Sequence, residues 1–426
     1  MKVCLACFFV SLGFLSEALA RDPFVLVGLV HDDEALNRPH DVEVQGGLAF
    51  VAGKGGSLAI LDVSDVTRPR VLSALVGLEQ LEDAETVLPM GNVVPVGSRD
   101  FLAVDVSDAR RPMVVKRISN RPRIDRINGM ALRGQIVFTA NKVGSVGVFD
   151  VSNPSDPNLV DVLDTRIRGG LRSPHDIAVF GDRILVANAA HHGPVFVQVY
   201  RVADPKTHAL LPTDKWEIEG SIVATGKLHE HLGGANRIAI AGRYAGVGAF
   251  VRDRVGIIDI RNPKRLKLLA TMPVADIGAN GMAAAGRILF VAGGEAVEAI
   301  DLSDPARPVS IAQYRNGRLF PTRRLMLGKM PRFDNAHDLV YREGYLFVTA
   351  QNDNQLGILK VNDRRVLELA GQPMVGTRRN SRQSMICSGG VTMPRLAVAA
   401  TFRKHRRWRC TSKMLVRQRY GHRDRK

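Results

Sequence analysis

One phrase recurs seven times along this chain and limits what it can fold into before any single residue is weighed. The clearest copy runs from His40 to Leu75, HDVEVQGGLAFVAGKGGSLAILDVSDVTRPRVLSAL. The other copies open at Ala84, Asn128, His175, Asn236, Asn280 and His337, mostly about 44 residues apart. Within the first copy, Asp41-Val42-Glu43-Val44 alternates polar and apolar residues, the pattern of a half-buried strand. Leu48-Ala49-Phe50-Val51-Ala52 is apolar throughout, as in a strand covered on both faces. Gly53-Lys54-Gly55-Gly56 turns the chain, Leu58 to Val63 makes a third strand, and Ser64-Asp65 with Pro69 turns it again before an outer strand, Arg70 to Leu75.

Each copy is therefore a four-stranded antiparallel unit that cannot bury both of its faces alone. Seven such sheets arranged radially cover one another and leave few open edges. The expected fold is an all-β, seven-bladed β-propeller spanning residues 21–376. Pro23 to Val30 reads like an outer strand placed ahead of the first copy, so it is expected to pair with the seventh blade and close the ring. Val366 to Leu369 competes for the same place.

The third strand carries a resemblance. Ala59-Ile60-Leu61-Asp62-Val63-Ser64-Asp65 returns as Leu102 to Asp108, Gly147 to Asn153, Ile257 to Asn262 and Ala299 to Asp304, with Arg201 and Lys360 standing where the Asp belongs in two copies. This resembles the LVIVD repeat of bacterial β-propeller proteins over about residues 24–370. The resemblance implies a propeller and an extracytoplasmic home, and it implies no particular activity. The repeated aspartate reads as a turn-fixing group that accepts backbone N–H bonds, because a set recurring around a whole ring makes a poor catalytic centre.

Charge and composition narrow the function. The chain carries a net charge of +17, yet fifteen Lys and Arg against one acid, Asp424, fall between Arg378 and Lys426. The remainder is close to neutral, which gives the repeat body no nucleic-acid signature. The tail, residues 377–426, reads as basic and disordered, with a shifted reading frame as an alternative origin. Met1–Ala20 has a basic start, an apolar run and small residues before Arg21, the pattern of a secretory signal peptide, and no apolar run beyond it is long enough to span a membrane. Cys4, Cys7, Cys387 and Cys410 all lie outside residues 21–386, which excludes thiol chemistry from the body. Phosphate-loop, nucleophile-elbow, HExxH and EF-hand patterns are absent.

In a propeller, the residues that open the inner strands gather at one channel mouth. Here they are His40, Ala84, Asn128, His175, Asn236, Asn280 and His337, followed by Asp41, Glu85, Gly129, Asp176, Arg237, Gly281 and Asp338. The candidate ligand-binding set is His40, Asp41, Glu85, Asn128, His175, Asp176, Asn236, Asn280, His337 and Asp338. The same side chains also suit a purely structural role, tying inner strands to their neighbours. Imidazoles at such a mouth would suit Cu or Zn, with His40 and His337 on adjoining blades and His229 and His231 supplied by the insertion before the fifth copy. The basic insertion Asn316 to Asn335 could attract an anion. Two functions stay open: a binding scaffold that presents the rim to a ligand, glycan or protein, and a metal-dependent oxidoreductase or hydrolase at the histidine-bearing mouth.

Overall fold

The computed structural model describes residues 22–189, 195–223, 232–249, 253–274, 278–315 and 335–371. Seven four-stranded antiparallel sheets follow one another along the chain. Blade 1 shows the common plan, with strands Pro39–Gln45, Leu48–Gly53, Ser57–Asp62 and Arg70–Val76 ordered from the channel outward. The inner strands of blades 2 to 7 are Thr86–Val87, Ile127–Arg133, Pro174–Phe180, Ala235–Ala241, Gly281–Ala285 and Ala336–Arg342. Each inner strand contacts the inner strands before and after it, and blade 7 returns to blade 1, so the sheets form a closed ring.

The core is divided in the same way. Strand alternation sends successive side chains of the middle strands to opposite faces, and each face meets a different neighbour. Phe138 packs toward blade 4 with Ile184, Tyr200 and Trp216, while Val137, beside it in sequence, packs toward blade 2 with Phe101. Seven buried clusters result, one in each interface between adjacent blades. The seventh joins Val42, Val51 and Leu61 of blade 1 to Phe347, Leu356 and Ile358 of blade 7, and its existence is what makes the ring complete.

The N-terminal strand fastens that seam as the sequence suggests. Phe24–His31 pairs antiparallel with Gln355–Val361 as the outer strand of blade 7. Its register places Val25 opposite Lys360 and Val30 opposite Leu356. The competing segment is not a strand. Arg364–Gly371 forms a helix, α1, whose Val366 joins the cluster between blades 6 and 7. Arg365 reaches Asp301 of blade 6 at 3.1 Å. With the outer-strand position already taken by Phe24–His31, the chain after Val361 has no free ladder to join.

The repeated aspartate does what its turn-fixing reading requires. Asp62, Asp105, Asp150, Asp259 and Asp301 each accept the backbone N–H two residues on, at 2.8–3.1 Å. At Lys360 the turn is replaced by the exit into α1, and at Arg201 the side chain pairs with Glu217 and Glu219 instead.

These bonds contribute to the acid stability. The Ser64 hydroxyl, with Arg70, draws the Asp62 carboxyl down to about 2. The Ser107 and Ser152 N–H groups lower Asp105 and Asp150, and Arg261 lowers Asp259. Burial opposes the shift at Asp301, but the Ser303 bonds prevail. A carboxyl whose pKa is lower in the folded state stabilises the fold above its unfolded value, near 4, and loses that contribution as pH falls through the folded value. The melting temperature should therefore drop steeply between about pH 4 and pH 2, and Asp62→Ala should melt lower at pH 7 while losing less on acidification. Parallel melting curves for the two proteins at every pH would show that the turn bond contributes nothing.

Candidate functional site

The inner strands bring the rim residues together through a shared backbone irregularity. In blades 1, 3, 4, 5 and 7 the ladder between first and second strands slips at His40, Asn128, His175, Asn236 and the pair His337-Asp338. A bulge of this kind re-aims one side chain out of the sheet plane. Each bulged residue lies six positions before a turn residue of positive φ: Gly46, Gly134, Gly181, Gly242 and Glu343. Asn280 stands at the same distance before Gly286.

That spacing corrects the reading of the second copy. Six positions before Gly91, φ 68°, is Glu85 and not Ala84. The hydrogen bonds agree: Glu85 N–H donates to Gly97 O as Asn280 N–H donates to Ala292 O. Glu85 is therefore the rim residue of blade 2, Thr86 follows it, and Ala84 is a buried core residue. All seven rim positions carry polar side chains.

Most of the rim side chains bridge to the next blade. Nδ1 of His40 lies 2.8 Å from Glu85 O, Nδ1 of His337 lies 3.0 Å from His40 O, and Nδ1 of His175 lies 3.0 Å from Asn236 O. Each ring nitrogen facing a carbonyl must be the protonated donor, which leaves Nε2 bare. Asn280 donates to Asn335 Oδ1 at 3.1 Å and Ala336 O at 3.4 Å. Asn128 Nδ2 donates to Glu85 Oε2 and meets His175 Nε2 at 3.2 Å, linking blades 2, 3 and 4. The His40 and His337 rings meet across the closing seam, tilted by 38° with centroids 3.9 Å apart.

A second layer repeats the device with carboxylates. Asp41 accepts Val87 N–H at 2.8 Å, and Asp176 accepts Ile238 N–H at 2.7 Å, in both cases two residues past the rim of the next blade. Where this layer has glycine, the neighbour's aspartate fills the space. A Cβ on Gly129 would meet Asp176 Oδ1 at 2.6 Å, and one on Gly281 would meet the Asp338 backbone.

Charge concentrates at the mouth in two places. Glu85, fully buried, receives Lys54 Nζ at 2.8 Å and Lys142 Nζ at 3.0 Å. Burial would raise the Glu85 carboxyl, but the Lys142 and Lys54 ammoniums prevail and hold it below its usual range. Arg237 of blade 5 lies among Asp338, Asp176 and Asp41, with Asp338 Oδ2 at 3.6 Å. Burial, reinforced by Asp41, pushes the Asp338 carboxyl well up against the pull of Arg237. Burial also raises Asp176. Lys54 and Lys142 were not among the residues singled out from the sequence. They occupy equivalent positions, one residue past the second strand in blades 1 and 3, and that recurrence was the available clue.

The expected metal set is described only in part, as His40 and His337. Among the described residues no three of His, Cys, Asp and Glu converge as a metal-holding group. His40 and His337 adjoin across the closing seam, His175 lies on blade 4, and the cations Lys54, Lys142 and Arg237 stand around them. His229 and His231 lie outside the described residues, as do His191 and His192, residues 316–334, the N-terminal segment and the basic tail.

Known proteins add one finding. A family model described as LVIVD repeat matches residues 39–74, 128–165 and 232–272, which fall on blades 1, 3 and 5. The chain carries LVIVD repeats. No curated protein matches it. The LVIVD match thus agrees with the fold and assigns no chemistry to the mouth. Among the described residues no helix is long and apolar enough to cross a membrane.

The three rim imidazoles are held neutral. Burial, then Arg237, brings His337 down to about 3. Burial with His337, Arg237 and Lys54 lowers His40, and burial with Lys142 and Arg237 lowers His175. The unfolded chain binds these protons below about pH 6.5, so the histidines subtract stability as pH falls through that value. Nitrogen NMR of histidine-labelled protein should show three rings that keep one neutral tautomer, protonated at Nδ1, from pH 8 down to pH 5. Midpoints near pH 6.5 for all rings would contradict the buried geometry.

Proposed function

We propose that this protein is an extracytoplasmic binding scaffold, a closed propeller that presents its polar channel mouth to a ligand, free in solution or displayed on a glycan or protein partner. The supporting observation is hydrogen-bonding capacity left unused in a buried place. Asn128 Oδ1 and the Nε and Nη2 atoms of Arg237 have no hydrogen-bond partner among the described residues, although both residues are nearly or fully buried. A buried polar group without a partner costs about 1–3 kcal/mol, so a set of them at one mouth favours an occupant that brings the missing partners. The seven-cluster core below it supplies a rigid base, which keeps that set pre-organised.

The secretory pattern of Met1–Ala20 supports placing this scaffold outside the cytoplasm. A metal-dependent enzyme is the weaker reading, because cations at Lys54, Lys142 and Arg237 oppose a further cation among the imidazoles.

Elemental analysis of the full chain, purified without chelator, separates the two. The scaffold reading expects Cu and Zn well below one ion per chain, unchanged by His40→Ala or His337→Ala, in a protein whose exported form begins at Arg21. One ion per chain, lost in both variants, would establish the metal enzyme in its place.

A further inference from the structure

The chemistry of the mouth bears on what it takes. Three cations surround the rim imidazoles, and the acids near them are committed to other bonds. Asp176 accepts the N–H groups of Ile177 and Ile238, Asp41 accepts that of Val87, and Asp338 accepts that of Leu339. Glu85 is shared between two ammoniums and an amide. Lys54 also lies 3.8 Å from Asp83, whereas Lys142 shares Glu85 with it, and both side chains keep about a quarter of their surface open to solvent, at 24% for Lys54 and 23% for Lys142. The Arg237 guanidinium, 6% exposed, makes no hydrogen bond through Nε or Nη2 among the described residues. Its nearest carboxylate oxygen, Asp338 Oδ2, stands at 3.6 Å, beyond hydrogen-bonding distance. Arg237 stands on the inner strand of blade 5 and reaches toward Asp338 of blade 7, past blade 6, which turns its charge toward the axis.

We propose that the mouth binds the carboxylate or phosphate group of a small anionic ligand, seated on the unpartnered edge of Arg237 and flanked by Lys54 and Lys142. A guanidinium edge presents two parallel donors, the arrangement that matches two oxygens of a carboxylate or phosphate. The bare Nε2 atoms of His40 and His337 then accept from hydroxyl or amide groups on the rest of the ligand, while that of His175 already faces the Asn128 amide. This inference rests on the mouth being a ligand site and goes further by giving the ligand its charge.

Isothermal titration of the full chain with pyrophosphate, with tricarballylate and with neutral cellobiose tests it, and the first two separate phosphate from carboxylate preference. At least one of the two anions should bind with one site at the mouth. That affinity should fall at least tenfold in Arg237→Gln, and several-fold in Lys54→Ala and Lys142→Ala, with melting curves confirming that each variant is folded. If Arg237→Gln does not fold, the lysine variants decide, since each leaves one ammonium on Glu85. Equal anion uptake by the parent and the substituted chains would place the anion away from the mouth and overturn the proposal. Binding of cellobiose alone, abolished by His337→Ala, would overturn the anionic ligand while keeping the mouth as a binding site. Loss of neither kind, with no probe bound at the mouth, would remove both readings.

Discussion

Every blade ends, on the channel side, in a strand with one unpaired edge, and the architecture depends on how those seven edges are satisfied. A backbone N–H or C=O left without a partner in a buried place is costly, and an open edge invites pairing with another chain. Here the partners are side chains from the neighbouring blade. His40, His175 and His337 donate to the next rim carbonyl, and Asp41 and Asp176 accept from the N–H two residues further on. The bulge at the rim is what makes this possible, because it swings one side chain from the sheet face toward the adjacent strand.

The same arrangement produces the candidate site. A bridge that uses Nδ1 leaves Nε2 bare, a carboxylate that accepts from one blade sits beside the next, and the residues that do not bridge supply the leftover capacity. Arg237 stands where blades 1, 4 and 7 have aspartate, so it places a cation among the acids of its layer. It keeps the acids around it from repelling one another, and it retains two donors that no described group takes up. The structure-holding role and the proposed ligand-holding role are therefore not alternatives at this mouth, since one set of side chains has the capacity for both.

Much of this was readable from the chain. The four-strand phrase, its seven copies and the closing strand before the first copy follow from periodicity and turn residues, which report local backbone geometry directly. The aspartate of the third strand was legible for the same reason, because an Asx turn is a contact between residues two apart. Glu85 was placed one position late because Ala84 and Glu85 both precede the strand, and only the distance to the turn at Gly91 separates them. Lys54 and Lys142 escaped notice because turn lysines ordinarily face solvent, and nothing local indicates that both bend toward a glutamate on another blade. The outcome for Val366 to Leu369 was likewise non-local. The segment is apolar enough for a strand, but the ladder it would join is already occupied by Phe24–His31.

The inter-blade bonds can be tested where they are least replaceable, at the amides of Val87 and Ile238. These N–H groups donate to the carboxylates of Asp41 and Asp176 on the neighbouring blades. Hydrogen exchange followed by NMR should find both amides protected to nearly the same degree as the blade cores, with protection at Val87 lost in Asp41→Ala and at Ile238 in Asp176→Ala. Exchange at these two positions as fast as in an unfolded chain, with the cores still protected, would contradict the account that the rim side chains hold the ring together.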